Sequence, residues 1–471
     1  MKTAALYSRG ILLVLLVVIS IFPSCKIEDD FDSLDLLEKL NRLDGVTASE
    51  ITPPAGYARA FQLDVRQPVD HQHPGAGSFT QRVYLSHTGE EMPVVFAPNG
   101  YRASASGIQE IAKVLQTNCL HVTHRYFYDS RPDPLNWQYL TIAQAAADHH
   151  RIVQLLKRIY KGKWISSGAS KSGLTALFHK RFYPADVDAT IAYVAPFIFG
   201  PKDEKFPAYL ASIGGGDCFS KLQQVQVYVL RHREEMLAYL EGVMSADQYS
   251  YSMDHELILE LHIMDYPFTF WQYYDYDCAF IPDTVSITPQ EIFNHYTGIV
   301  PLNSFSDENL DYYEPFVYQS VTELGAPGYQ TDYLAPYLKK IDPNDAGNPN
   351  YQLLAPAGTG LTFNYSTIPE IYNWLKEQGD HIIYIYGKND PWSAGAIELN
   401  EGADALFFMQ EGANHRVKIS DLDNPGLVYS KLEEWLGITI TGKKSDLVNT
   451  SQIGFRLDVN SNQWIGDKRD K

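Results

Sequence analysis

The chain has 471 residues, 45% of them hydrophobic and 20% charged, which is globular composition long enough for one large domain or a domain carrying an insertion. Its formal charge of −19, without any basic stripe interleaved with aromatics, speaks against nucleic acid as a partner. Four cysteines with no C-x-x-C spacing speak against structural zinc, and no metal or organic cofactor is expected.

The amino terminus reads as a targeting segment. Lys2 and Arg9 precede an apolar run, 11–21, that is short for a membrane span. Phe22-Pro23-Ser24-Cys25 follows and resembles a bacterial lipobox, with Phe22 where leucine is usual. Residues 1–24 are therefore expected to be a lipoprotein signal peptide and Cys25 the lipidated first mature residue, tying an exported protein to a membrane. Lys26-Ile27-Glu28-Asp29-Asp30 resembles the lysine-plus-acidic signal that sends some lipoproteins to the outer face. Residues 25–56 are expected to be an amino-terminal tether, with a short amphipathic helix over 34–43 that tethers or packs on the surface. An exported compartment permits a disulfide, and Cys218 with Cys278 is the expected pair; Cys119 sits in an apolar run and is expected to be a buried thiol.

Strand patterns then occupy 58–65, 80–85 and 93–97, broken by Pro98-Asn99-Gly100-Tyr101. Helical spacing covers 106–116, an apolar β-branched run 120–123, and a long helix 139–160. A strand at 163–167, a turn, a helix at 174–180 and a strand at 189–194 complete a first α/β stretch, 57–196. Alternation stops over 197–361, which is aromatic and helical, with helices expected at 221–244 and 254–264. It returns over 362–437, with a helix at 368–378, strands at 381–386 and 405–409, and a closing helix at 425–436. The pattern predicts a mostly parallel sheet covered on both faces, with 197–361 inserted as a cap over its carboxyl edge and 438–471 as a polar tail.

The turn Gly168-Ala169-Ser170-Lys171-Ser172-Gly173 carries the chemistry. A serine on a sharp strand-to-helix turn, flanked by small residues, is the nucleophile elbow of the α/β-hydrolase fold. The small neighbours suit a strained backbone that bulky residues would obstruct. Here Ser172 stands in place of the second glycine. A serine hydroxyl needs a base, and the base an orienting carboxylate. In this fold they follow in the order Ser, Asp, His. Asp390, in the turn after strand 381–386, and His415, in the turn after strand 405–409, meet both order and placement. His121, His124, His149 and His150 precede Ser170 and stand in the wrong order. The oxyanion requires two backbone donors. The Lys171 amide is one candidate, and Gly100 or Tyr101 supplies the other. The Lys171 side chain either adds positive potential there or points to solvent.

Gln67-Pro68-Val69-Asp70-His71, Phe79-Thr80-Gln81-Arg82, His124-Arg125-Tyr126-Phe127 and the segment 139–148 resemble, in order, elements of the prolyl carboxypeptidase and dipeptidyl-peptidase family of serine exopeptidases. So do the elbow, Asn389-Asp390-Pro391-Trp392, Gly412 to His415, and 318–325 within the insertion. Lys171 replaces an aromatic and Ala169 a glycine of that pattern. These departures, with the lipobox and sparse cysteines, are closer to the related bacterial prolyl tri- and tetrapeptidyl aminopeptidases of the PS-ten type. The resemblance implies a helical cap over an α/β-hydrolase core and removal of short peptides from one end, after proline. An aromatic pocket suits a proline ring; Phe270 and Trp271, in the run 267–274, are candidates to line it. Gln319 and Glu323, in the matched insertion segment, are candidate substrate contacts, with Glu323 either gripping a terminal ammonium or making a structural hydrogen bond. The same triad would also serve a carboxylesterase acting on acylated glycans or small esters. A non-catalytic surface lipoprotein on the same scaffold is the third reading.

Overall fold

A computed structural model describes residues 31–344 and 349–440. Nine strands form one sheet in the order β1-β2-β3-β5-β4-β6-β7-β8-β9. β1 (Val46–Ile51), β2 (Arg59–Pro68) and β3 (Ser78–His87) pair antiparallel, and β3 pairs antiparallel with β5 (Asn118–Val122). β4 (Val94–Pro98), β6 (Trp164–Ala169), β7 (Ala189–Tyr193), β8 (Ile382–Gly387) and β9 (Ala405–Gln410) continue parallel from β5. The central strands β4, β5, β7 and β8 are buried along their whole length, as parallel strands covered on both faces must be. β4 lies between β5 and β6, so the chain leaves it first to one side and then to the other. Crevices in such sheets open at that switch, beyond the carboxyl ends of the strands.

Helices α1 (Leu36–Asn41), α2 (Glu110–Leu115), α3 (Ile142–Leu156) and α4 (Lys171–Phe182) belong to the first part of the sheet domain. The cap contributes α5 (Lys205–Ser212), α6 (Cys218–Arg231), α7 (Arg233–Met244), α8 (His255–Tyr273), α9 (Pro289–Ile299), α10 (Asp307–Gln319) and α11 (Pro349–Leu353). Then α12 (Thr367–Gln378) and α13 (Pro425–Leu436) close the domain. The cap has a hydrophobic core of its own, built from residues such as Leu222, Val225, Met236, Ile258 and Tyr296. A Cys218–Cys278 disulfide ties the start of α6 to the loop after α8, and Cys119 is a buried free thiol. The whole is an α/β-hydrolase fold bearing a helical cap.

Four expectations are corrected. Residues 36–51, read as tether, are built into the domain: Leu36, Leu40, Leu43 and Val46 are buried against β2 and β3, and β1 is the sheet's edge strand. Its polar sequence, Val46-Thr47-Ala48-Ser49-Glu50-Ile51, hides the strand because one face meets water. The expected helix over 221–244 is two helices meeting at His232, whose ring stacks on Tyr228 at 4.0 Å. Helix α8 runs through Pro267 to Tyr273, nine residues beyond the expected end at Met264. Pro267 has no N–H for the Ile263 carbonyl, and the buried Gln226 Nε2 donates to that carbonyl at 2.6 Å instead. Ile438 and Ile440, placed in the tail, pack on the core beside α13. Cys25 and 441–471 lie outside the described residues, among which no helix is long and apolar enough to cross a membrane.

One buried polar cluster binds the sheet to α3. Arg125 grips Asp148 with two hydrogen bonds, Nε to Oδ2 at 2.7 Å and Nη2 to Oδ1 at 2.8 Å, and both side chains are wholly buried. Arg125 also donates to the carbonyls of Val69 and Tyr139, at 3.1 and 2.6 Å, and His71 Nε2 reaches Asp148 at 2.7 Å. Gln67 bridges to Gln81 at 2.9 Å and to the Asp148 carbonyl at 3.0 Å. Desolvation opposes the charge on Asp148, yet Arg125 and His71 together hold its carboxyl below the ordinary range. Arg125→Met would leave that carboxylate buried without its partner. The substitution should cost about 3–5 kcal/mol of stability, read as a lower urea midpoint at unchanged slope.

Candidate active site

Strand β6 ends at Ala169, and the next residue turns the chain into α4. Ser170 has φ 57° and ψ −128°, a region that non-glycine residues avoid. Glycines make room for the turn. A Cβ on Gly168 would sit 2.4 Å from the Ser172 carbonyl oxygen, and one on Gly173 would sit 3.0 Å from the carbonyl oxygens of Gly168 and Tyr193. Ser170 N–H donates to the Tyr193 carbonyl on β7 at 2.8 Å, which locks the turn to the neighbouring strand.

The loop after β4 closes on the other side. A Cβ on Gly100 would meet Lys171 Cγ at 2.6 Å and its backbone carbonyl carbon at 2.8 Å, so only glycine permits this approach. Of the two expected second donors, Gly100 is already engaged: its N–H donates to Ser172 Oγ at 2.9 Å. This is the task of the residue standing where a glycine was expected, and sequence reasoning missed it. The Lys171 side chain does not point to solvent. It is 4% exposed, its Nζ donates to the Gly100 carbonyl, and it lies 5.2 and 5.1 Å from the ring centres of Tyr101 and Phe127. Burial pushes this amine well below the usual lysine range. The Gly100 carbonyl and the Tyr101 N–H share one trans peptide plane and point opposite ways. By fixing the first, Lys171 aims the second away from itself.

Asp390 caps the short turn after β8, accepting from the Trp392 amide at 3.1 Å. Its Oδ2 lies 2.6 Å from His415 Nδ1. Asp390 is completely buried, which raises its carboxyl while the pairing with His415 opposes the rise. The carboxylate fixes the imidazole proton on Nδ1 and leaves Nε2 as an acceptor. Nε2 is buried and has no hydrogen-bond partner among the described residues, so the expected bond to Ser170 Oγ is not formed here. His415 N–H donates to the Gln272 carbonyl of α8 at 3.1 Å, and its ring lies 6.0 Å from Tyr273 and 6.4 Å from Trp392. Tyr273, Trp392 and Ser170 all line one cavity of about 310 Å³ between the sheet edge and the cap.

Four expected substrate contacts do not reach that cavity. Phe270 and Trp271 point from α8 into the cap core, where the Trp271 ring packs over Gly214. The cavity is lined instead by Asp265, Thr269, Gln272 and Tyr273, the opposite face of the same helix. Thr269 lies four residues after Asp265, and Gln272 and Tyr273 lie three and four after Thr269, which is a helical stripe that knowing the helix continues past Pro267 would have exposed. Gln319 is 1% exposed and borders a separate small void beside His124 and Lys171. Glu323 takes the structural alternative: its Oε2 accepts from the Ile142 amide at 2.7 Å, capping the first turn of α3. An aromatic wall comes from Tyr101, Tyr313, Phe316 and Tyr351, on three separated stretches.

Burial raises Glu323 from 4.5 to about 7. A carboxyl whose folded pKa lies above its unfolded value favours folding least when ionised. Its cost is absent below about pH 4.5, grows as pH rises and is complete above about 7. Glu323→Gln keeps an acceptor for Ile142 without the charge. The melting temperature of the variant should therefore gain on that of the parent chain between pH 4.5 and 7, and parallel profiles would remove the buried charge from the account.

Comparison with known proteins agrees with this geometry. The family model described as PS-10 peptidase S37 matches residues 30–450. A prolyl tri/tetrapeptidyl aminopeptidase of Streptomyces mobaraensis is 31% identical over 422 residues, 88% of this chain and 87% of that protein. The serine protease vicPb of Bipolaris victoriae is 28% identical over 144 residues, 25% of this chain and 27% of its own. Among solved structures, a proline iminopeptidase of Mycobacterium smegmatis aligns over 79% of this chain and 97% of its own, with TM-score 0.37 and 11% identity. The esterase LipA of Xanthomonas oryzae aligns over 86% and 97%, with TM-score 0.34 and 13% identity. A family match across 30–450 and a relative aligned over most of both chains make this a serine peptidase that belongs to the PS-10 peptidase S37 family.

Proposed function

We propose that the chain removes tri- or tetrapeptides from the amino end of peptide substrates, with preference for cleavage after proline, through a Ser170–His415–Asp390 acyl-enzyme mechanism. The observation that carries it is the buried Asp390–His415 bond beside a cavity into which the strained Ser170 turn opens. Ser170 Oγ attacks the scissile carbonyl as its proton passes to His415 Nε2. The tetrahedral oxyanion is held by the amides of Lys171, at the first position of α4, and Tyr101, aimed by the Lys171–Gly100 bond. His415 returns the proton to the leaving amine, a water then attacks the acyl-enzyme by the same route, and Ser170 is regenerated. Asp390 holds the imidazole in the required tautomer and stabilises its charged form. The length and proline preference are extended from the Streptomyces relative, whose name states them.

Export belongs to the same reading. The disulfide between Cys218 and Cys278 suits an oxidising compartment, and the lipobox ending at Cys25 would tether the enzyme there.

Ser170→Ala should lower turnover of an unblocked Ala-Ala-Pro anilide by about 10⁴-fold or more with an unchanged melting temperature. A rate near that of the parent chain would remove Ser170 from the chemistry. Turnover of short-chain nitrophenyl esters alone would move the activity to ester cleavage. In a bacterial host, the full chain should incorporate labelled palmitate and Cys25→Ser should not; equal labelling would place the anchor elsewhere.

A further inference from the structure

The turn after β9 carries His415, and the sheet holds one side of it. The Ala413 carbonyl accepts from the Asn389 amide at 2.8 Å. A Cβ on Gly387 would meet the Asn414 carbonyl oxygen at 2.4 Å, so this turn lies directly on the one that bears Asp390. Asp390 then grips the imidazole at a single atom, Nδ1. A ring held at one atom still pivots, and the direction of Nε2 depends on what fixes the backbone behind it.

The cap holds the other side. Helix α8 ends at Tyr273, and the carbonyls of a last helical turn have no amide of their own helix to meet. One of them, Gln272, accepts the His415 N–H at 3.1 Å. The Tyr273 ring meets the imidazole edge-on, at 6.0 Å and 87°. Two residues past the helix end, Asp275 Oδ1 accepts from Asn414 Nδ2 at 2.9 Å. Asn414 is 5% exposed, and its Oδ1 accepts from the Arg416 N–H at 2.9 Å. One side chain therefore bends the backbone around His415 and anchors it to the cap.

The segment that bears Asp275 is itself fastened at both ends. Tyr274 donates its hydroxyl to the Gly298 carbonyl of α9 at 3.0 Å, and Cys278 is joined to Cys218 at the start of α6. The anchor for the histidine turn is thus braced on α6, α8 and α9.

We infer that Asp275 is a positioning residue: through Asn414 it seats the His415 turn on the cap and so sets the direction of Nε2. The cap then belongs to the catalytic frame as well as covering it. Gln272 and Tyr273 also line the cavity, so the helical turn that would meet substrate is bonded to the base that serves it. Asp275 stands off the cavity wall and acts on turnover without meeting substrate. The inference rests on the peptidase reading above and gives the cap a part in the chemistry of that same site.

The test measures kcat and KM separately on unblocked Ala-Ala-Pro anilide with the full protein. The rate of fluorophosphonate labelling is a second readout that needs the base but few substrate contacts. Asp275→Ala should lower kcat and the labelling rate together by about 10-fold, with KM within about twofold of the parent chain. Asp275→Asn keeps an oxygen for Asn414 Nδ2 and should recover most of that loss. Asn414→Asp sets two carboxylates face to face and should lose at least as much as Asp275→Ala. Adding Asp275→Asn to it restores a donor and an acceptor in the reverse direction, and should restore the rate. An Asp275→Ala kcat equal to that of the parent chain, or a change confined to KM, overturns the assignment. So does an equal loss in Asp275→Asn, which would transfer the effect to the charge. Should Asp275→Ala not fold, the reversed pair decides, and a pair no faster than Asn414→Asp alone counts against the role equally. All of these outcomes leave the serine peptidase reading standing. A parent chain that neither labels nor cleaves the anilide overturns that reading and this one with it.

Discussion

The site depends on one strained residue. Ser170 holds φ 57° and ψ −128° only because its surroundings allow no other path. Gly168 and Gly173 let the turn close on itself, the bond to Tyr193 ties it to β7, and Gly100 brings the β4 loop against Lys171. At each of these glycines the approach is so close that a single Cβ would intrude. The same contacts that hold the Ser170 turn bring the β4 loop, with Tyr101, to the wall of the cavity. The Ser170 turn and the placement of the β4 loop are therefore consequences of one packing arrangement.

The residues that carried the family resemblance in the first third of the chain serve this arrangement from behind. Gln67, His71, Gln81, Arg125 and Asp148 meet in one buried network that joins β2, β3, the loop after β5 and α3. Helix α3 packs on α4, the helix that begins at the nucleophile. Glu323 extends the network's logic to the cap by accepting from the first amide of α3. Networks of this kind are strong when every member is satisfied and costly when one is lost. Motif residues far from the chemistry thus fix the helix that the chemistry stands on.

Much of this was legible because local chemistry dictated it. The elbow requires small residues, the Ser, Asp, His order follows from the sheet, and the Cys218–Cys278 pair follows from the cap's cysteine count. What failed has a common cause. Phe270 and Trp271 were chosen for being aromatic, but a helix shows a cavity only one stripe, and here that stripe holds Asp265, Thr269, Gln272 and Tyr273. Helix α8 looked shorter because Pro267 signals a break, and the donor that repairs it, Gln226, lies 41 residues earlier. Strand β1 and the burial of Leu36 and Leu40 depend on β2 being present to receive them. Ser172 read as a missing glycine because its partner, the Gly100 amide, is 72 positions away.

Lys171 shows how a side chain beside Ser170 acts on the backbone of a neighbouring loop. An amine with no access to water pays heavily for its charge, and its value is pushed well down for that reason. Two ring faces and one carbonyl are the whole of its observed compensation. Charged or neutral, it keeps an N–H for the Gly100 oxygen, so its geometric task survives either state. A rigid peptide then carries the orientation across to the Tyr101 N–H, which a solvent-exposed loop would leave free to rotate. Preorganised donors are worth most where water is excluded and nothing must reorganise as charge develops. The buried lysine is thus part of the support that holds the Gly100 backbone in place.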